Sequence, residues 1–510
     1  MKRSRRLTIA AWAIAALLWA NLPYLAGYAR STPQARFGGF FLYEQDGYSY
    51  LAKMRQGAQG AWLFHLPYTS EDEYQSGGAI YLFYLVLGKL TPRFVPLDAA
   101  YHAARLIGSA LLLWVLYRFI GRLVGDARRR SWAWWLAIFS GGWGLLISTF
   151  IDQRYVAYEL IAPDAFVFSI LYGPPHVSVG FSLLLLWIHY TLDTLKTDRS
   201  RLPQRLLVAN GLGALTALAR EAYAPAFALI FAAYLIALAV RQRTLPRREA
   251  IRAALSGVAA GAYGLYLVIA FRTAPGLAAW AGQNPFTSPG VLDFVLGFAP
   301  LIGLALMGLR RAAQLWASDE GALVPAWLVA GPIMAYLPLA ISRRLIAGWQ
   351  IPLAILAAYV LPPLFDRRRV PALALVALTL PSTLLIILGG TARVLTPQPP
   401  LYITADQQAA LDWLGAHTTD RDVVLSDWRF GNLVPIYADA RVLVGHPIET
   451  IDFARKQQIA ETFFAADGVD RAAVIDEWHI TWIVAEADRV VADQTPAADL
   501  GSIRIYRAAP

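Results

Sequence analysis

Residues 7–28 read LTIAAWAIAALLWANLPYLAGY, an apolar run that follows the basic start Met1-Lys2-Arg3-Ser4-Arg5-Arg6. A helix of about 20 such residues crosses the hydrocarbon core of a bilayer. The basic start resembles that of a signal peptide, but this run is long and many similar runs follow it. We therefore interpret it as a retained first membrane helix.

Similar runs recur along the chain, since 57% of its 510 residues are hydrophobic and only 16% are charged. This composition argues against a soluble fold. Cysteine is absent, so any catalysis must use oxygen or nitrogen groups. We predict a polytopic α-helical membrane protein with about eleven transmembrane helices, at residues 7–28, 98–121, 131–150, 176–192, 206–222, 223–240, 253–271, 291–309, 322–341, 345–364 and 370–389.

Clusters of arginine and lysine give the orientation, because basic loops resist translocation and stay in the cytoplasm. After the basic start they occur in every second connection, at residues 118–130, 196–205, 241–252, 310–311 and 367–369. This pattern predicts a cytoplasmic (plasma) membrane protein with its N-terminus inside and its C-terminus outside. The net charge of +10 then reflects topology rather than a nucleic-acid partner.

The chain divides near the proline-rich segment 396–400. Residues 1–396 form the predicted transmembrane domain, with a long first outer loop at residues 29–97. Residues 397–510 alternate amphipathic helical and strand-like segments, and they hold 17 acids against 9 bases. We predict a small extracytoplasmic α/β domain there.

The first outer loop contains the most informative polar motif, Glu44-Gln45-Asp46, directly before the amphipathic stretch 48–58. An amphipathic helix at a membrane surface would hold both carboxylates beside lipid head groups. Tyr48 could stack on a sugar there. The alternative is that both acids are merely solvated loop charges.

Basic residues on the predicted outer side form a second signal. Arg343 and Arg344 break the positive-inside pattern, and a charge within a membrane span costs about 2.5 to 3.5 kcal/mol on insertion scales. A lipid phosphate would be a suitable partner, whereas snorkelling or an ion pair with Glu221 is the alternative. His176, at the start of the fourth span, could touch the substrate or could simply cap its helix.

The acidic first loop, the many spans, the late arginines and the outer C-terminal domain together resemble the GT-C superfamily. This superfamily includes protein O-mannosyltransferases and lipid A aminoarabinose transferases, which use sugars on polyprenyl-phosphate carriers. The resemblance implies that Asp46 or Glu44 is a catalytic base or metal ligand, and it makes Arg220 a candidate substrate-binding residue. The intervening Gln45 departs from the adjacent acidic pair of the mannosyltransferase branch, which leaves the identity of the base open.

The chemistry makes compatible demands. A lipid phosphate leaves as a stable anion, so one carboxylate base suffices, in contrast with the two carboxyl groups of a glycosidase. We predict a glycosyltransferase with Asp46 as base and Glu44 assisting, and with a glycan, lipid or protein as acceptor. Mg or Mn could bind through Asp46 and an acid of the second outer loop. A transporter of lipid-linked glycans and a non-catalytic membrane scaffold are the alternatives.

Overall fold

The computed structural model describes residues 2–465, 470–489, 491 and 495–508. The protein is mainly helical, with 66% helix. It divides into two compact units. Unit 1 comprises residues 1–22, 102–266 and 286–389, and unit 2 comprises residues 23–101, 267–285 and 390–510.

The helices follow one another along both units. In the first half of the chain they are α1 (Lys2–Ala29), α2 (Glu44–Ala58), α3 (Leu82–Leu90), α4 (Leu97–Leu123), α5 (Ala127–Phe139), α6 (Gly144–Phe150), α7 (Tyr158–Ile161), α8 (Val167–Tyr172), α9 (Pro175–Lys196), α10 (Leu202–Ala219), α11 (Tyr223–Gln242) and α12 (Arg247–Ser256). The later helices are α13 (Val258–Thr273), α14 (Pro275–Gln283), α15 (Val291–Gly308), α16 (Leu323–Ala335), α17 (Ser342–Leu345), α18 (Gln350–Ala357), α19 (Leu361–Arg367), α20 (Arg369–Ala377), α21 (Pro381–Val394), α22 (Ala405–His417), α23 (Trp428–Tyr437), α24 (Phe453–Ala465) and α25 (Arg471–Glu477).

The strands all lie in unit 2. They are β1 (Ala35–Phe37), β2 (Tyr402–Thr404), β3 (Val423–Leu425), β4 (Arg441–Val442), β5 (Trp482–Glu486), β6 (Ala498–Asp499) and β7 (Ile503–Arg507). Strands β1 and β2 form an antiparallel pair, and the other five form a sheet in the order β4-β3-β5-β7-β6. In that sheet β3 is parallel to β4 and β5, whereas β7 is antiparallel to β5 and β6.

Six segments of the described chain are long and apolar enough to cross a membrane: Leu7–Ala29, Leu97–Leu123, Ala127–Phe150, Pro175–Lys196, Tyr223–Gln242 and Val291–Gly308. Two bent helix pairs, α12 with α13 and α20 with α21, raise the number to eight if each pair is one span. The protein is therefore a multi-pass membrane protein, and the count of eleven stays a prediction. Prolines account for part of the difference, because α16 ends shortly before Pro338 and the predicted span 345–364 is broken before Pro362 and Pro363.

Unit 2 brings the first loop and the C-terminal segment into one core. Buried side chains of α2, such as Leu51 and Met54, belong to the same hydrophobic cluster as Leu411 of α22 and Val434 of α23. The sequence pattern divides the chain at residue 397. The compact unit that contains residues 397–510 also contains the first loop, residues 29–97.

Helices α2 and α3 cross at unusually close range. A Cβ on Gly57 would lie 2.0 Å from the carbonyl oxygen of Leu85, and one on Gly88 would lie 1.9 Å from that of Met54. Two glycines therefore allow the backbones to touch, and this crossing fixes the direction of α2 within unit 2.

Candidate functional site

Both predicted acids lie in the first turn of α2. The helix begins directly after Tyr43, whose φ of 51° is in the left-handed region, and Glu44 and Asp46 follow. The free N–H groups and the positive dipole end of a helix start favour ionised carboxylates. Residue 47 has to be glycine here, because a Cβ would lie 2.4 Å from the ring of Phe40.

Asp46 contacts a histidine that is 400 residues away in the sequence. Its Oδ1 lies 3.1 Å from Nε2 of His446, in the loop between β4 and α24. The Asp46 side chain is 40% exposed, whereas that of His446 is 2% exposed. The aspartate can therefore meet a substrate, while the histidine lies behind it.

The hydrogen bonds of His446 define its tautomer. Its Nδ1 accepts the backbone N–H groups of Ile448, at 3.1 Å, and of Glu449, at 3.2 Å. Since an N–H group can only donate, Nδ1 carries no proton, and the ring proton of the neutral imidazole is on Nε2. His446 therefore donates to the carboxylate of Asp46.

The loop that holds His446 is fixed to α2 by a buried ion pair. Nζ of Lys53, about two turns beyond Asp46 on α2, donates to Oε1 of Glu449 at 2.7 Å. Lys53 also donates to the hydroxyl of Ser49, which in turn donates to Oε1 of Glu449 at 2.5 Å. The side chains of Lys53 and Glu449 are 0% and 6% exposed.

The environment of Glu449 keeps its carboxylate ionised. Burial alone would raise its pKa, but the Lys53 ammonium and the hydrogen bonds from Lys53 and Ser49 outweigh burial and hold the pKa below its ordinary value. The Lys53 ammonium also lies 4.2 Å from the centre of the Tyr81 ring, within cation–π range. Burial lowers the pKa of Lys53, and the Glu449 carboxylate opposes that effect, so the two form a buried ion pair inside unit 2.

Glu44 lies beside a cation that the sequence analysis did not single out. Glu44 is 8% exposed, and its Oε1 lies 3.6 Å from Nη2 of Arg393 near the end of α21. Nη1 of the same guanidinium donates to the carbonyl oxygen of Phe41 at 3.0 Å, while 45% of the Arg393 side chain is exposed. A half-exposed cation therefore lies next to the acidic turn.

Tyr48 lies in the core of unit 2. The residue is 4% exposed, its hydroxyl donates to the carbonyl oxygen of Pro400 at 3.2 Å, and its ring meets that of Phe40 edge to face. This burial gives Tyr48 a packing role in unit 2, and its contact with a sugar stays a prediction.

In unit 1, Arg220 and His176 lie together. The guanidinium of Arg220 donates from Nε, at 3.2 Å, and from Nη2 to Oδ2 of Asp164. Its Nη1 lies 3.4 Å from Nε2 of His176. Asp164 and His176 are 3% and 5% exposed, so these predicted residues form one buried polar cluster.

Arg343 and Arg344 lie in α17 of the same unit. The guanidinium of Arg344 lies 3.6 Å from the centre of the Phe286 ring, and its Nη1 lies 3.4 Å from Oε1 of Glu221. Arg343 is also near the Phe286 ring, at 5.5 Å. The ion pair with Glu221, one of the two alternatives for these arginines, is thus present for Arg344.

The binding of Mg or Mn through Asp46 stays a prediction. Across the residues that the structure describes, no group of three histidine, aspartate or glutamate side chains is placed to hold a metal. A Mg or Mn site needs about six ligands, mostly oxygens. Mg usually takes several of these ligands from water and substrate phosphates, beside one or two carboxylates.

The Gly445–Thr450 loop is the part of this site that sequence reasoning missed. Its pattern, with His446 and Glu449 three residues apart, predicts a turn and a helix cap, and no local feature points to α2. The one available signal was Lys53, an ammonium in a helix where Leu51 and Met54 are apolar, which indicates that a buried acid must exist elsewhere.

Comparisons with known proteins address the fold. No model of a known protein family matches the sequence, and no curated protein matches it. The oligosaccharyltransferase of Archaeoglobus fulgidus, tethered to an acceptor peptide with the NVT sequon, superposes with a TM-score of 0.55 at 14% identity, over 93% of this chain and 69% of that chain. The same archaeal enzyme, AglB, in complex with an inhibitory peptide and a dolichol-phosphate gives a TM-score of 0.53 at 14% identity, over 93% and 69%.

ArnT from Cupriavidus metallidurans, bound to undecaprenyl phosphate, covers 97% of both chains at 11% identity with a TM-score of 0.47. At such identities the archaeal matches establish the fold alone. The chain therefore shares the fold of this archaeal oligosaccharyltransferase, and the resemblance stated from its sequence is confirmed at the level of the fold.

Proposed function

We propose that the protein is a glycosyltransferase that moves a sugar from a polyprenyl-phosphate carrier to a hydroxyl of a glycan, lipid or protein at the outer face of the cytoplasmic membrane. The observation that carries the proposal is the half-exposed carboxylate of Asp46, oriented from behind by the Nε2–H of buried His446. The GT-C fold supports it, as do the apolar spans, which suit a protein whose substrate is carried by a membrane lipid.

The reaction is a direct displacement. The acceptor oxygen forms a bond to the anomeric carbon, and the bond between that carbon and the phosphate oxygen breaks with its electron pair passing to the phosphate. The acceptor proton moves to the half-exposed Asp46 carboxylate. A positioned base of this kind contributes about 10² to 10⁴ in rate.

The departing phosphate gains negative charge, so a fixed cation beside it lowers the barrier. In unit 2 the cation next to the acidic turn is Arg393, and Glu44 assists by holding its guanidinium. For unit 1 we keep Arg220, His176, Arg343 and Arg344 as proposed substrate-binding residues. The pairing of Arg220 with Asp164 already orders its guanidinium.

The test is transfer of labelled sugar from a panel of polyprenyl-phosphate donors by the full chain in lipid nanodiscs, with donor binding measured separately. Asp46→Asn should lower kcat by at least about 100-fold, the low end of what a base contributes, and should retain donor binding. Asp439→Asn is the matched control, because Asp439 is similarly exposed, at 44%, and its carboxylate is likewise held by a basic side chain, that of Arg55. The assay is run with and without EDTA, and a loss of transfer in EDTA would indicate that the reaction needs a divalent ion.

The outcomes separate the candidate functions. Full activity of Asp46→Asn would remove Asp46 as the base. Donor binding without turnover by the wild type would favour the lipid-linked glycan transporter, and neither binding nor turnover would favour the scaffold.

A further inference from the structure

We propose that His446 is a positioning residue for Asp46, which holds the carboxylate in one orientation while taking no part in proton transfer itself. The inference rests on the proposed function, since it concerns how the base is presented. It assigns a role to the Gly445–Thr450 loop, which lies almost 400 residues beyond the acidic motif.

His446 is not itself the base. An Asp–His pair often has the reverse arrangement, in which the carboxylate orients a catalytic imidazole. Here both ring nitrogens of His446 are occupied, Nε2 by Asp46 and Nδ1 by the backbone N–H groups of Ile448 and Glu449. With 2% of its side chain exposed, the imidazole cannot reach an acceptor hydroxyl, whereas Asp46 can.

Close packing restricts both the imidazole of His446 and the loop that carries it. The ring of Tyr68 packs against it with 5.9 Å between centres. Residue 445 has to be glycine, because a Cβ there would lie 2.6 Å from the Tyr68 ring. Glu449 of the same loop forms an ion pair with Lys53 on α2. The loop is therefore anchored to the helix that carries Asp46.

A second set of contacts fixes the outer edge of the loop. The amide of Asn284 donates to the carbonyl oxygen of Ile448 at 2.7 Å, and that of Gln283 donates to the carbonyl oxygen of Thr450 at 2.8 Å. These bonds satisfy backbone groups that would otherwise leave the turn free to shift. A base misplaced by about 1 Å can lose roughly 100-fold in rate, so this support bears directly on kcat.

Two substitutions separate the two functions of the imidazole. His446→Asn keeps an acceptor where Nδ1 is, so the backbone bonds of the loop survive, but its side chain is too short to reach Asp46. His446→Gln places an amide N–H where Nε2 is and keeps the donor to Asp46, but loses the Nδ1 acceptor. A merely structural histidine would tolerate Asn better, whereas a positioning residue is better replaced by Gln.

The kinetic test uses the full chain in nanodiscs with the donor panel. His446→Asn should lower kcat by about 100-fold with the donor KM unchanged, and His446→Gln should recover most of the lost rate. Equal loss in both variants, or better activity of Asn than of Gln, would overturn the inference.

A spectroscopic arm does not depend on turnover. The chain has seven histidines, so ¹⁵N-histidine labelling gives few ring signals, and His446 is assigned by its absence in His446→Asn. The expected signal is a neutral ring protonated on Nε2, which changes in Asp46→Asn. A proton on Nδ1 would refute the inference even in an active enzyme. The expected signal in a wild type that transfers no sugar from any donor would instead overturn the proposed function and the catalytic meaning of the contact.

Discussion

Replacing Lys53 by methionine removes the charge partner of Glu449 with little change of volume. Oε1 of Glu449 would keep only the Ser49 hydroxyl, and Oε2 is already buried without a hydrogen-bond partner among the described residues. An uncompensated buried carboxylate is strongly destabilising, typically by about 3 to 5 kcal/mol. The loop that carries His446 should therefore open far more often.

Protonation of Glu449 limits how much stability Lys53→Met can lose. Glu449 can become neutral instead of remaining a buried anion, and protonating a glutamate of ordinary pKa, about 4.3, costs about 3.7 kcal/mol at pH 7 and about 1 kcal/mol at pH 5. The loss in Lys53→Met should therefore shrink as the pH falls. In the wild type the sign is opposite: the lowered pKa of Glu449 contributes stability above about pH 4.3, and this stability is lost as the pH falls through the folded pKa.

Hydrogen exchange of peptides covering residues 445–450, measured by mass spectrometry on the intact protein, is the appropriate assay, since large proteins seldom unfold in two states. Relative to wild type at the same pH, exchange should rise by up to about 500-fold at pH 7 and by about 5-fold at pH 5. Adding Glu449→Gln to Lys53→Met should recover most of the protection. An increase of equal size at both pH values would refute the reasoning.

Lys456→Met is the matched control. Its Nζ is also 0% exposed and lies 2.6 Å from a carboxylate oxygen of Glu71, but 24% of the Glu71 side chain is exposed. Water can therefore solvate the Glu71 carboxylate once Lys456 is gone. A smaller loss of stability is expected, and the exchange of residues 445–450 should stay near the wild-type rate.

Two further predictions concern the support of α2 and the phosphate. Gly57→Ala should destabilise the α2–α3 crossing and lower the thermal stability in detergent, because its Cβ would lie 2.0 Å from the backbone oxygen of Leu85. Gly211→Ala in α10 is the control, because a Cβ there would have nothing within 4 Å. This control should be neutral or stabilising by up to about 1 kcal/mol. Arg393→Gln should raise the donor KM and lower kcat by about 10-fold or more if this cation contacts the phosphate, at 1.4 kcal/mol per tenfold, and unchanged kinetics would assign Arg393 to packing alone.

The sequence predicted the membrane class and singled out the acidic motif, because both depend on local patterns. Hydropathy marks apolar spans directly, and two carboxylates beside an amphipathic stretch are visible in the local sequence, although the helix begins at Glu44 and not at Tyr48. The same reasoning placed Lys53 at a membrane surface, since an amphipathic helix with a lysine is typical of an interface. The structure instead buries Lys53 completely against Glu449. This partner lies 396 residues away, so the local pattern around Lys53 could not reveal it.

The contact between Asp46 and His446 lay beyond prediction for the same reason. A single sequence contains no information on which distant loop packs against a helix, and His446 with Glu449 gives a cap-like local pattern. Proline effects account for part of the difference in the span count. Hydropathy counted residues 322–341 as one span, whereas α16 ends at Ala335, three residues before Pro338.

The buried ion pair and the site are coupled because one short turn carries both His446 and Glu449. A buried ion pair adds little net stability over an apolar pair of the same volume, so stability alone gives a weak reason for Lys53 to be there. Its geometry is more specific, since an ammonium bonded to both Ser49 and Glu449 allows one placement of the loop on α2. That placement directs Nε2 of His446 at the carboxylate of Asp46, about two turns from Lys53 on α2. An apolar replacement of the pair would therefore be expected to preserve the fold and still lower kcat.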